Sequence, residues 1–455
     1  MNISQTLSAF ISAIRAEELP ESIRREVPLR IVDYAASAAA GFQVNASMNA
    51  IVMELLREQG GTPRCSLFIS REKLSAIQAA YYNAFVCNGA DMDDGHMLAN
   101  GHPGVCVIPP VLALAEERGL TYPDIAAAIV GGYELFIRLA GGMAPSHLQR
   151  GFNGTGTTGT IAAAAACARA LRLDAEKTHV AIGLAATSAS GLMELNESGQ
   201  AMKPINPAKS AANGLLCALF AERGAVGPVA PLDGSKGYIR AFCDEADPAF
   251  ILGGLGEQWL MDTAYIKLYP ACRHMHAMAD CAGMLHRRGI PTEQISGIRL
   301  YTYPASEKLT GLIRYPSGED EAKFSLTYAA AVALRTGGFT LEDLRSASNL
   351  SPELRDLIGR MEIIVEPELE DRKNMLRGAR MELIMADGRT ESASVRVPKG
   401  EKINPLQEGD LRAKLAACAG ALLPPERQEA LYMAGMQFGE VPDVTKFYAL
   451  TAAEA

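Results

Sequence analysis

The stretch Asn88–Pro110, NGADMDDGHMLANGHPGVCVIPP, decides how this chain is read. Its flanks are apolar: Ala79–Val86 lies before it and Val105–Ala115 after it. Between them stand Asp91, Asp93, Asp94, His96 and His102, spaced by Gly89, Gly95, Gly101 and Gly104. A polar, glycine-hinged loop thus joins two segments with the composition of buried helices, the usual place for chemistry carried on a rigid scaffold. Histidine titrates near neutrality, and a carboxylate beside it fixes its tautomer. Taken singly, each residue also reads as ordinary loop chemistry, with Asp91 to Asp94 as caps and turns and the histidines at the surface. Taken as a cluster they point to a site, because matching groups recur elsewhere in the chain.

On the N-terminal side, residues 2–60 read as helices. Ser4 or Thr6 is the expected cap of the first. Pro20-Glu21 opens a second, with Ile23, Val27, Leu29, Ile31 and Val32 on one side, and Asn45–Gln59 forms a third, stopped by Gly60-Gly61. Leu74–Val86 reads as a buried helix leading into the loop. On the C-terminal side, Val107–Arg118 and Tyr122–Leu139 are helical and apolar. GFNGTGTTGT (Gly151–Thr160) then enters an alanine-rich helix over Ile161–Leu173. Backbone N–H groups and hydroxyls at a helix N-terminus suit an anion, which makes Gly154 and Thr155 candidate ligands. No Gly-Lys-Ser/Thr follows, so this is not a phosphate-binding P-loop. The polar stretch Glu194–Pro207 places Lys203 beside Pro204, between two apolar helices, the second expected over Lys209–Arg223. Tyr265–His276, YIKLYPACRHMH, gathers Lys267, Arg273, His274 and His276 around Pro270 and Cys272. A helix expected over Arg273–Arg288 sets Arg273 and His274 against its dipole unless an anion is bound there.

After Gly289 the texture changes. Gly297–Tyr303, Glu362–Val365, Arg380–Met385 and Thr390–Val397 read as strands, the last two joined by an Asp387-Gly388 hairpin. Helices return from Gly409. The expected fold is mainly α: a large all-helical domain over 1–263, completed by 398–455, with an inserted smaller α/β lid domain over 264–397. A chain of 455 residues with 48% hydrophobic and 21% charged residues is folded and globular. Its net charge of −9 argues against nucleic acid as a partner. Nine cysteines without a CxxC pair form no zinc or disulfide framework and suit a reducing cytoplasm. The start MNISQTLSAF does not read as a signal peptide, and no apolar run is expected to span a membrane. Together these predict a cytoplasmic protein.

Five stretches together resemble the MmgE/PrpD family of 2-methylcitrate dehydratases, cis-aconitate decarboxylases and iminodisuccinate epimerases. They are DMDDGH with the following GHPG, GFNGTGTTGTIAAAAACARAL, MKPINPAKSAANGLL, IKLYPACRHMH and FSLTYAAAVAL. The resemblance implies a helical domain with a smaller lid, a homodimer, and no metal or organic cofactor. It also implies that Asp91, His102, Lys203 and Lys267 are pocket residues. Asn153 and Cys272 stand where the decarboxylase branch has histidines, and that branch's lid tyrosine has no counterpart near Glu307.

The family's reactions share one hard step, charge developing at a carbon next to a carboxylate, which needs preorganised cations. Lys203, Lys267 and Arg273 supply them; His96, Asn153, Gly154, Thr155, His274 and His276 complete a binding set. His102 is the general acid or base. Asp91 orients it or carries a proton on the opposite face, and Cys272 joins the catalytic group. The leading expectation is a cofactor-free lyase on a small di- or tricarboxylate, 2-methylcitrate dehydratase-like. Alternatives, in order, are an epimerase of an amino- or imino-dicarboxylate, a cis-aconitate decarboxylase, and a metal-dependent hydrolase using Asp91, Asp93, Asp94, His96 and His102. A non-catalytic carboxylate binder closes the set.

Overall fold

A computed structural model of the protein describes residues 2–197, 201–438 and 443–452. Ser198, Gly199 and Gln200, inside the polar stretch Glu194–Pro207, lie outside the described residues. The helical body forms around one alanine-rich helix, Thr158–Ala170, every residue of which is buried. Alanine combines strong helix propensity with a small side chain, so neighbouring helices close in on it. Pro103–Arg118, Tyr122–Gly142, Ala175–Ser188 and Ile205–Glu222 pack around it. The approach of Ile205–Glu222 is so close that a Cβ on Gly214 would stand 2.4 Å from Ala163 Cβ and 2.8 Å from the Thr160 carbonyl oxygen.

Helix Tyr122–Gly142 corrects one expectation. Its 21 residues are long and apolar enough to cross a membrane by length and composition, yet 94% of the most apolar window is buried inside the protein. That window contains Glu134 and Arg138, paired at 3.0 Å. Helix starts also differ from the expected ones. Asn2, rather than Ser4 or Thr6, caps the first helix by accepting from the Gln5 N–H. Two helices begin earlier than expected, at Pro103 and at Ile205, because Pro103, Pro204 and Pro207 fall at helix starts where a missing N–H costs nothing. Arg273 and His274 lie in a separate 3-10 turn, and the α-helix after it runs His276–His286.

The C-terminal part carries a four-stranded sheet in the order Met361–Val365, Ile295–Thr302, Ala379–Met385, Thr390–Val395. The first pair is parallel and the other two are antiparallel. Burial alternates along Ala379–Met385, and helix His276–His286 covers the sheet. Gly388 makes the hairpin turn at φ 87°. The protein is therefore mainly α, with a smaller α/β region in its C-terminal part.

Helices Glu408–Ala419 and Pro425–Met436 return to pack on helix Glu21–Val44. The buried Lys414 ammonium donates to Asp33 Oδ1 at 2.5 Å and to the Met92 carbonyl at 2.8 Å, so it ties this return to the Asp91 loop. Removing one partner of a buried ion pair strands the other, whereas removing both is far less costly. We expect Lys414→Met to lower the unfolding free energy by about 3 kcal/mol and Asp33→Asn with Lys414→Met to recover most of it. Burial already holds the Asp33 carboxyl up at about 6 despite Lys414. A carboxyl with a raised folded pKa binds its proton preferentially in the folded state, so the loss in Lys414→Met shrinks as pH falls. Urea denaturation across pH checks both points; equal loss in single and double variants would mean lost packing instead.

Candidate active site

The loop and the YIKL segment meet through two backbone hydrogen bonds. Gly95 N–H donates to the Tyr265 carbonyl at 3.1 Å, and Tyr265 N–H to the Gly95 carbonyl at 2.8 Å. A Cβ on Gly95 would fall 2.4 Å from Tyr265 Oη, so only glycine lets the two chains lie together. This pairing carries Lys267 to Asp91. Asp91 has φ 53°, a left-handed conformation that a non-glycine residue adopts only when its surroundings hold it there. Lys267 Nζ donates to the Asp91 carbonyl at 2.7 Å and stands 3.1 Å from Asp91 Oδ1. Lys203 Nζ reaches the same Oδ1 at 2.5 Å. Burial alone would raise the Asp91 carboxyl, but Lys203, Lys267 and His102 together hold it well below the usual carboxylate range.

His102 caps helix Pro103–Arg118, and its backbone N–H donates to Thr155 Oγ1 at 3.1 Å. Its Nδ1 lies 2.7 Å from the Asp94 carbonyl oxygen and 3.2 Å from Asp93 Oδ2. A carbonyl only accepts, so Nδ1 carries a proton, and in the neutral ring it is Nε2 that keeps the lone pair. Nε2 stands 3.8 Å from Asp91 Oδ1. Asp94 is held in turn by Tyr133 Oη at 2.6 Å, Gly104 N–H at 3.0 Å and Arg30 Nη1 at 3.4 Å.

One cavity of about 440 Å³ collects most of the residues expected from sequence: Asp91, His96, His102, Asn153, Thr155, Lys203, Lys267, Cys272, Arg273 and His274. Gly154 and His276 are not in its lining. The Gly/Thr loop uses its N–H groups internally, with Gly156 N–H on Asn153 Oδ1 at 3.0 Å and Gly159 N–H on the Gly154 carbonyl at 3.1 Å. The loop presents Thr155 rather than Gly154 to the cavity. His276 is buried between Arg273 and the Ala271 carbonyl. The anion beside Arg273 is Glu401, at 3.1 Å, so the conflict read in its turn is answered inside the protein. Burial and the Arg377 charge push His96 down to about 3 and His274 well below the usual histidine range, which keeps both rings neutral. Burial and Asp91 raise the Cys272 thiol, so it stays protonated.

Sequence reasoning missed Arg377, Lys308, Tyr265 and Phe324 in the cavity wall, as well as an apolar side made by Leu148, Met193, Leu309, Leu312 and Ile313. Tyr265 stands inside the YIKLYP motif and was open to that reading. Arg377 and Lys308 carry no motif of their own.

Of the five residues proposed for a metal, only Asp91, Asp93 and His102 converge, with ligand atoms within 4.8 Å of one another. Asp94 braces Arg30 and Tyr133, and His96 bonds Thr263 and the Ala99 N–H. The converging donors are already engaged. Two ammonium groups neutralise Asp91, and both Asp93 oxygens accept from Asn88 Nδ2 at 2.9 and 3.0 Å. A dication here would sit against two cations, so this donor set does not fit a metal.

The N-terminal domain of the MmgE/PrpD family matches residues 5–251, and its C-terminal domain matches residues 269–435. The chain is 24% identical over its whole length to a cis-aconitate decarboxylase-like protein of Aspergillus oryzae, 98% of which is covered. It is 25% identical over 97% of its length to a cis-aconitate decarboxylase of Aspergillus terreus, 94% of which is covered. It is 27% identical over 79% of its length to the human cis-aconitate decarboxylase, covering 76% of that protein. The motif resemblance and both domain matches agree: the chain belongs to the MmgE/PrpD family.

Proposed function

We propose that the protein is a lyase acting on a small tricarboxylate, dehydrating a 2-methylcitrate-like hydroxy acid by proton abstraction next to a carboxylate. One observation carries the reading: the Asp94 carbonyl accepts the Nδ1 proton of His102 in a hydrogen bond, which makes Nε2 the basic atom of the neutral ring in a cavity that Lys203 and Lys267 also line. A base so placed removes the proton. The imidazolium that results is met by Asp93 at 3.2 Å and Asp91 at 3.8 Å. An ammonium has three donors. Lys203 has one on Asp91, which leaves donors for a substrate carboxylate and for the charge developing beside it. Asp91 stays ionised, so it orients the cations and His102 rather than donating a proton. The Cys272 thiol and the Lys203 ammonium are the donors left for the departing hydroxyl.

The names of the curated relatives favour a second reading, decarboxylation of cis-aconitate. There the carbanion left by carbon dioxide must take up a proton, so Nε2 has to be protonated beforehand. Against it, Asn153 and Cys272 stand where the resemblance places histidines. Epimerisation of an amino- or imino-dicarboxylate would use the same base but needs a second proton carrier, a task that an always-ionised Asp91 does not perform.

The two lyase readings differ in sign. Dehydration of 2-methylcitrate should speed up as pH rises along the rate limb that His102→Gln removes; decarboxylation of cis-aconitate should slow down along it. Product analysis, water loss against carbon dioxide, is read in the same assay. His102→Gln should lower kcat by roughly 100-fold or more, and wild-type turnover would end its assignment. Lys203→Met and Lys267→Met should each cost about 2–4 kcal/mol in kcat/KM; unchanged kinetics would make them mere partners of Asp91. Dialysis against a chelator should leave turnover intact, and a loss restored by a divalent ion would favour the hydrolase reading.

A further inference from the structure

Lys203 and Lys267 both pair with Asp91, and Arg273 pairs with Glu401. Arg377 differs. Its residue is 5% exposed and it lines the same cavity. One Nη donates to the Met97 carbonyl at 3.3 Å. Its Nε lies 3.5 Å from Glu370 Oε1 without hydrogen-bond geometry, and among the described residues both of those buried atoms lack a hydrogen-bond partner. A buried guanidinium with an unused donor is costly unless something completes its bonding.

Arg377 stands on partners other than those around Asp91, the Met97 carbonyl and Glu370 rather than the Asp91 carboxylate. Its charge bears on His96 and His274 more than any other does, with Lys267 and Arg273 also acting on His274, while Lys203 and Lys267 are the ammonium groups that act on Asp91. The cavity wall thus carries a pair of ammonium groups meeting at Asp91 and, on other partners, the Arg377 guanidinium.

We propose that Arg377 is the ligand of the central carboxylate of a tricarboxylate, one that Lys203 and Lys267 do not hold, and so sets the preference for tri- over dicarboxylates. A guanidinium offers a planar fork of donors that matches a carboxylate bidentately. The proposal rests on the tricarboxylate reading above, but its test separates the two. The probes are tricarballylate, an inert tricarboxylate, and glutarate, the same chain without its central carboxylate. Binding of each is measured by calorimetry to the full-length wild type, Arg377→Met, Arg377→Lys, and Arg377→Met with Glu370→Gln. The double variant removes the acid that the single variant would strand, and thermal melting verifies that each is folded.

We expect Arg377→Met and the double variant to weaken tricarballylate by 30-fold or more while moving glutarate by less than threefold. Lysine should restore part of the loss. Equal weakening of both probes, no weakening, or failure of the wild type to bind tricarballylate would overturn the proposal. Arg377-dependent binding in a protein that turns over no tricarboxylate would retain the subsite and remove the lyase reading. Turnover of a tricarboxylate that is indifferent to Arg377 would do the reverse.

Discussion

A buried carboxylate cannot stay ionised alone, and the architecture around this site follows from that constraint on Asp91. Its desolvation is offset by Lys203 and Lys267, ammonium groups that come from segments far apart in sequence. The turn before helix Ile205–Glu222 and the segment after Ala264 must therefore meet the Asp91 loop at one place. The Gly95–Tyr265 pairing fixes one of these meetings, and the packing of Ile205–Glu222 on the alanine helix fixes the other. The loop itself is irregular and buried, so its carbonyls need donors. Lys267 serves the carbonyl of Asp91, Lys414 that of Met92 and the His102 ring that of Asp94.

This wiring joins stability to chemistry. The contact that supports the Asp94 carbonyl also sets the His102 tautomer, and so decides which ring nitrogen is free to act. Cations held in place before substrate arrives need not reorganise during reaction, which is the condition under which electrostatic stabilisation is large. The same pairing makes the Asp91–His102 triangle unsuitable for a metal, although its residue types would allow one.

Most of the fold was legible because it depends on period and punctuation. The alternating strands, the Asp387-Gly388 hairpin and the alanine helix each carry a local signal. Helix starts were less legible near proline, because Pro103 and Pro207 stand inside first turns of helices that were expected to begin after them. The cluster around Asp91 was legible as a cluster because charged residues in apolar surroundings stand out. Two expected members lie outside the cavity lining for one reason: proximity in sequence does not say where a side chain points. His276 sits three residues from Arg273 and faces inward, and Gly154 sits beside Thr155 in a loop whose N–H groups bond to the loop itself. Arg377 was not legible at all. Its hydrogen bond goes to the Met97 carbonyl, 280 positions away, and nothing local distinguishes it from a surface arginine.

The central claim is that His102 moves a proton to or from a carbon next to a carboxylate. Proton magnetic resonance of 2-methylcitrate incubated with the protein in heavy water reads this directly. The account predicts loss of the C–H signal with formation of the unsaturated acid, together with deuterium entering recovered substrate wherever the step reverses, and all of these absent with His102→Gln. A panel of hydroxy-tricarboxylates left unchanged by the wild type, or converted equally well by His102→Gln, would contradict it.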